Sequence, residues 1–130
     1  MPIVDDLIAA AQQASADVPV QDVLIGLYWM AVRSRRIGLA TAQVDSGNEL
    51  IGTGDLHQKS VYEMIEYFRS ARLIEASLGL AAINSMLPVE QLPMVEFNAR
   101  DLLVEKGRGK KVALIGHFAF TEPLRQAAGR

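Results

Sequence analysis

The apolar positions along the chain change period several times, and each change marks an element. Ile3, Leu7, Ile8 and Ala11 recur at helical spacing, with Pro2 and two acids in the first turn where they suit the helix dipole. A first helix is expected to end near Ser15. After Pro19 the run "VQDVLIGLYWMAVRS" is rich in β-branched and aromatic residues and predicts a strand. "RIGLATAQ", beyond the polar Ser34, Arg35 and Arg36, predicts its antiparallel partner. Both faces of the first strand are apolar, with Val23, Ile25, Leu27 and Trp29 against Leu24, Tyr28, Met30 and Val32, so both are expected to be covered. Trp29 then reads as core, and the Tyr62 and Tyr67 pair as helix surface.

The next stretch, "VDSGNELIGTGDLHQK", is rich in Gly, Asp and Asn and predicts an irregular loop. Ser60 and Glu63 form a capping-box pattern at the start of a helix through "VYEMIEYFRS". A further helix follows in "RLIEASLGLAAINSML", where Ile74, Leu78, Ala81, Ala82 and Met86 share a side and Leu87-Pro88 imposes a stop. Two prolines extend "PVEQLPMVEF"; Asn98 and Asp101 then open the short helix "ARDLLVEK", which Gly107 ends. After the basic loop "KGRGKK", the segment "KVALIG" predicts a buried parallel strand, and Thr121 with Pro123 predicts a capped final helix. The order implies an α+β fold: an antiparallel hairpin packed by helices over residues 1–93, and over residues 94–130 the opening of an α/β unit. Pro88 to Pro93 is the expected linker.

Composition narrows the chemistry. Half of the 130 residues are hydrophobic and the net charge is −2, so the totals point to neither nucleic acid nor an anionic membrane as a partner. Residues 1–65 carry eight acids and four bases and residues 66–130 seven acids and nine bases, a mild asymmetry. The absence of cysteine removes disulfides, thiolate metal sites and a cysteine nucleophile. Acids stand where a secretory signal would carry bases, and no apolar run reaches the length of a membrane helix, so a cytoplasmic protein is expected.

Among motifs, a phosphate-binding reading fails. Gly116 is followed by His117, Phe118 and Ala119, so the later glycines of a dinucleotide fingerprint are missing. "GRGKK" precedes the strand that a phosphate loop should follow, and "GTGDLH" ends in histidine after no clear strand. No nucleophile-elbow pattern frames a serine. The two histidines are the best remaining metal ligands and proton carriers. His117 follows the carboxyl end of the predicted strand, where open α/β sheets place a ligand crevice, or is simply bonded within a turn. His57, with Asp55 two residues before it and Asp45 and Glu49 upstream, could supply a carboxylate and imidazole pair to a divalent metal, although the spacing is no recognised ligand pattern and a surface-loop histidine is the better reading. Asn84 interrupts an apolar helical face and needs a partner, either backbone of the neighbouring hairpin or a ligand.

Three segments carry a family resemblance: "LIGLYWMAVRSRRIGLATAQ", "EASLGLAAINSMLP" and "NARDLLVEKGRGKKVALIGHF". In this order they resemble the heavy-metal-chelation proteins, from about Ile3 to Phe118. The resemblance implies an enolase N-terminal-like domain over residues 1–93 and the beginning of a Rossmann-like domain over residues 94–130. Family members continue through the rest of that second domain, whereas this chain stops after its first strand and a partial helix. A site in a cleft between domains or subunits is implied, with Gly38, Ala40, Thr41, Asn84, Gly116, His117 and Phe118 as the matching residues. In that reading His117 is a ligand or acid/base group, Asn84 orients by hydrogen bonding, and the Gly38 to Thr41 backbone approaches the ligand. A metal or metal-chelating small molecule is the implied ligand. The lone tail strand, with unpaired backbone on both edges, is the remnant of an incomplete domain, an element completed by a second chain, or an addition to the edge of the hairpin, and a homodimer is expected. The rival reading is an interaction module without chemistry.

Overall fold

The structure, a computed structural model, describes residues 2–43, 50, 52–89, 93 and 95–129. Two compact units divide it, Met1–Gln91 and Leu92–Arg130. The fold is mixed α and β, with one three-stranded antiparallel sheet and five α-helices among the described residues.

In the first unit, α1 (Pro2–Ala14) buries Ile8 and Ala11, the inward face of the expected apolar stripe. Its last carbonyls have no partner within the helix. The Tyr62 hydroxyl lies 2.9 Å from the Gln12 carbonyl oxygen and 2.8 Å from that of Ser15, and so closes this end from the neighbouring helix.

The expected two-stranded hairpin is instead a three-stranded meander. β1 (Asp22–Ile25), β2 (Trp29–Arg33) and β3 (Ile37–Thr41) pair in the order β1-β2-β3. A tight turn at Leu27 and Tyr28 splits the run that reads as one strand. The Gly26 amide donates to the Trp29 carbonyl at 2.9 Å and reverses the chain there. An apolar run conceals such a turn, because the usual polar turn residues are absent.

Register fixes the two faces. Val23, Val32 and Gly38 share one row and Ile25, Met30 and Ala40 the next, all toward the helices. Leu24, Ala31 and Leu39 form a row on the opposite face, flanked by Trp29 with Thr41 and by Asp22 with Arg33 and Ile37. Met30, Val32 and Ala40 are buried, whereas Leu24, Trp29, Ile37 and Leu39 are exposed. The expectation that both faces are covered, and that Trp29 is core, is therefore corrected. Among the described residues of the first unit, helices pack on one side of the sheet, as an antiparallel sheet permits.

The capping box is formed: Ser60 Oγ accepts from the Glu63 amide at 3.2 Å, and Glu63 Oε2 accepts from the Ser60 amide at 2.8 Å. It opens α2 (Val61–Ile65), which tightens into a 3₁₀ turn at Glu66–Arg69 earlier than the predicted helix would end. The centre of the unit is α3 (Leu73–Met86), packed against β2 and β3 on one side and α1 and α2 on others. Beyond the expected Ile74, Leu78, Ala81, Ala82 and Met86 it buries Ser77, Gly79, Ile83 and Ser85, so it is buried nearly all round.

One buried polar pair joins α3 to the sheet. Ser85 Oγ donates to the Ala82 carbonyl at 2.7 Å and accepts from Ser34 Oγ at 2.5 Å. Ser85→Ala leaves the Ser34 hydroxyl buried without its acceptor, and a loss of about 1–3 kcal/mol is expected. Removing both hydroxyls in S34A/S85A removes the orphan, so more than half of the loss should return. Urea denaturation of the three variants checks this.

The second unit joins α4 (Ala99–Gly107) and α5 (Thr121–Ala127). Asn98 Oδ1 accepts from the Arg100 amide at 2.9 Å, the expected cap of α4. Bridges between the ends of the helices, from the Gly109 amide to the Ala127 carbonyl and from the Gly129 amide to the Lys110 carbonyl, each at 2.9 Å, hold the unit together. The predicted buried strand at 111–116 is corrected. The segment forms no strand and pairs with none among the described residues, and Val112, Leu114 and Ile115 are exposed. A strand needs a neighbour to take up its backbone groups, and this unit supplies none among the described residues. The cap of α5 also shifts by one residue. Phe120 occupies the cap position and Thr121, the first helical residue, donates its hydroxyl to the Phe118 carbonyl at 2.7 Å. Among the described residues no helix is long and apolar enough to cross a membrane.

Candidate functional site

The residues singled out in the sequence fall into separate places, and each has a local cause. At the seam of β3 and α3, Gly38 is buried because the helix backbone lies directly on it. A Cβ built there would stand 2.0 Å from the Ala81 carbonyl oxygen and 2.2 Å from the Ser85 nitrogen. The space beside Gly38 is thus filled by helix. Ala40 is buried on the same face and Thr41 is exposed at the end of the strand. Asn84 is half-buried, and its Nδ2 donates to the Leu39 carbonyl at 2.8 Å. Backbone of the neighbouring strand is its partner.

In the second unit, Gly116 has φ +114°, which an L side chain rarely adopts, and a Cβ there would meet the Phe118 ring at 2.9 Å. The turn made by this glycine carries His117 outward, and His117 is exposed. Phe118 stacks on Phe120 with ring centroids 5.1 Å apart. His117 and Gly116 line an open hollow of about 810 Å³, together with Thr121, Glu122, Arg125 and Gln126 from α5 and Val112, Leu114 and Leu124 at its apolar wall. Glu122 is held in place: Oε2 pairs with Arg125 at 2.8 Å and Oε1 accepts from Gln126 at 3.2 Å. Polar groups of α5 were not singled out in the sequence, where "TEPLRQ" reads only as a helix start. The i,i+3 spacing of Glu122 and Arg125 was the available signal.

His57 lies in a 3₁₀ turn at Leu56–Gln58 and is exposed. It lines a smaller cavity of about 300 Å³ with Asp22 of β1, Gln21 and Thr53. Asp55 instead accepts from Gln58 Nε2 at 3.0 Å. Asp45 and Glu49 lie outside the described residues. Imidazole and carboxylate oxygen would suit a divalent metal, but a protein-held ion needs several such ligands converging. Among the described residues no three of His, Asp and Glu come together in that way. Neither histidine fits a bare ion held by the described residues alone.

Comparison with known families supplies the relationship. The family model described as "Putative heavy-metal chelation" (DUF4213) matches residues 8–87, more than half of the chain. The chain belongs to this family. Two crystal structures of family-364 proteins of unknown function share the fold. One, from Desulfitobacterium hafniense, is 22% identical with a TM-score of 0.76, over 98% of this chain and 54% of that one. The other, from Pyrococcus horikoshii, is 20% identical with a TM-score of 0.70, over 97% of this chain and 54% of that one. The family member described here therefore spans about half the length of the solved proteins it resembles. No curated protein matches it. At these identities the likeness speaks for the fold alone.

Proposed function

We propose that this protein handles a metal in chelated form, a complex of a metal ion with a small molecule, and that His117 supplies one ligand to the bound complex. The observation that carries the reading is an exposed imidazole, next to the Gly116 turn at the rim of a hollow of about 810 Å³, with no group of three His, Asp or Glu side chains among the described residues to hold an ion there. One imidazole holds a bare ion poorly, yet it can fill an open position on a metal whose other positions a chelator already occupies. Thr121 and Gln126 at the same hollow suit the polar groups of such a chelator. The family description, heavy-metal chelation, supports the ligand class.

In this proposal the first unit is an enolase N-terminal-like domain and the second opens a Rossmann-like one, consistent with the span of 54% on both longer relatives. The hollow is then one wall of a cleft that a further domain or subunit closes. The setting is the cytoplasm.

The test uses nickel nitrilotriacetate, which leaves nickel with open positions, against nickel chloride, both titrated calorimetrically into the untagged chain. The chelate is expected to bind more tightly than the bare ion, and His117→Ala should weaken chelate binding at least about tenfold, a change of about 1.4 kcal/mol. His57→Ala should leave it unchanged. Equal affinity for the bare ion, or a loss that follows His57, would overturn the reading. The rival is an interaction module without chemistry, whose tail strand pairs between chains and which needs no metal.

A further inference from the structure

The outward face of the sheet is the largest feature of the first unit that the metal reading leaves unused. Leu24, Leu27, Tyr28, Trp29, Ile37 and Leu39 are each between 52% and 80% exposed on this face or at its turn. With about 150–200 Å² for a large apolar residue, they leave on the order of 700 Å² of apolar surface in water. A monomer's largest patch is typically about 300–600 Å². Leu24, Leu27, Tyr28 and Trp29, on β1, β2 and their turn, hold about 500 Å² of it, so two copies that meet over these two strands would bury on the order of 1,000 Å², where specific interfaces begin.

We infer that the β1 and β2 part of this face is covered by a second copy of the chain, its twofold axis running along the strands between β1 and β2, with β3 at the rim of the contact. The register carries the choice of occupant. Across β1 and β2, Asp22 stands opposite Arg33, Leu24 opposite Ala31, and Gly26 opposite Trp29 at the turn. A twofold axis along this line exchanges the members of each pair between copies. Asp22 then meets the partner's Arg33, Leu24 meets the small Ala31 of the partner subunit, and Trp29 meets the space over the partner's Gly26. Each contact pairs opposite charge or large with small, so the surface is complementary to itself. Asp22 and Arg33 are in no ion pair among the described residues, so both are available. A membrane surface would call for a basic rim, and this face carries one acid against one base in its end row. Packing of this kind, sheet on sheet about 10 Å apart, is a common way to build an apolar layer.

The inference is independent of the metal reading, and its test does not involve metal. Light scattering of the full chain over a wide range of concentration should give a reversible mass twice that of the chain. Asp22→Arg and Arg33→Asp each turn two attractive contacts into repulsive ones, and each should raise the dimer dissociation constant at least about tenfold. Mixed in equal amounts, the two variants again set a base against an acid at both contacts, and should regain the original constant to within about threefold. Circular dichroism melts of both variants check that they remain folded, as exposed positions should. A monomer at every concentration overturns the inference. So does a mixture that stays dissociated, because the axis would then be wrong. Binding to phosphatidylcholine vesicles that Leu24→Glu abolishes would make a membrane the occupant, and would overturn it too.

Discussion

Gly38→Ala is expected to lower the melting temperature of the first unit by tens of degrees, or to prevent its folding. The added methyl would stand 2.0 Å from the Ala81 carbonyl oxygen and 2.2 Å from the Ser85 nitrogen. Both are helix backbone, so no side chain can rotate aside. Either α3 moves off the sheet or β3 bends away from it, and each movement opens the core between them. Ordinary overpacking costs about 1–3 kcal/mol, and this contact is closer than a rotamer change can relieve. A loss of at least about 4 kcal/mol is expected, against a total stability of about 5–15 kcal/mol for a domain. At about 4–8 °C per kcal/mol for a unit of this size, the melt should fall by roughly 15–30 °C. Differential scanning calorimetry decides it. A melt within a few degrees of the parent would mean that the helix and strand are farther apart than described.

The same contact shows what can and cannot be read from a sequence. Local signals were legible because they act over three or four residues. The Ser60 and Glu63 box, the Asn98 cap and the stop at Leu87-Pro88 all stand where their chemistry predicts. The family was legible too, since three ordered segments were enough to suggest it and residues 8–87 bear it out. Features that depend on neighbours were not. Leu27 and Tyr28 turn the chain with no turn residue but Gly26, so one long apolar strand looked as good as two. Trp29 resembled core because an apolar residue carries no label for the face it will occupy. "KVALI" has the composition of a buried strand, but composition cannot supply the adjoining strand that pairing requires.

For the candidate site, the sequence offered residue types but not their grouping. His117 and Gly116 share a turn as the sequence suggests, while Thr121, Glu122 and Arg125 join them only through the fold of the second unit. Asn84 needed a partner, and that partner, Leu39, lies forty-five positions away on another element. Spacing along a chain gives no distance at that range.

Leu78→Ala is the second large loss expected, and it probes the centre of the same helix by removing volume instead of adding it. Leu78 is fully buried in α3, in one cluster with Ile8, Met30, Val32, Met64 and Ile65. Alanine is the better helix former, so any loss reports packing and not helix propensity. Leucine-to-alanine changes in cores cost about 2.7–5.0 kcal/mol, the larger values arising where the surroundings cannot collapse into the cavity. Here they are held. Helix backbone rests on Gly38 on one side, and on the other Gly79 lies against the backbone of Tyr67 and Phe68, so α3 cannot slide to fill the gap. About 4 kcal/mol is therefore expected, while Ile83→Val, which removes a single methyl from the same helix, should cost about 1 kcal/mol. In urea the Leu78→Ala midpoint should fall with an unchanged slope, since the surface exposed on unfolding is nearly the same. A loss below about 2 kcal/mol would mean that α3 is free to move between sheet and helices, and the close contact at Gly38 could not then be the fixed point on which the unit is built.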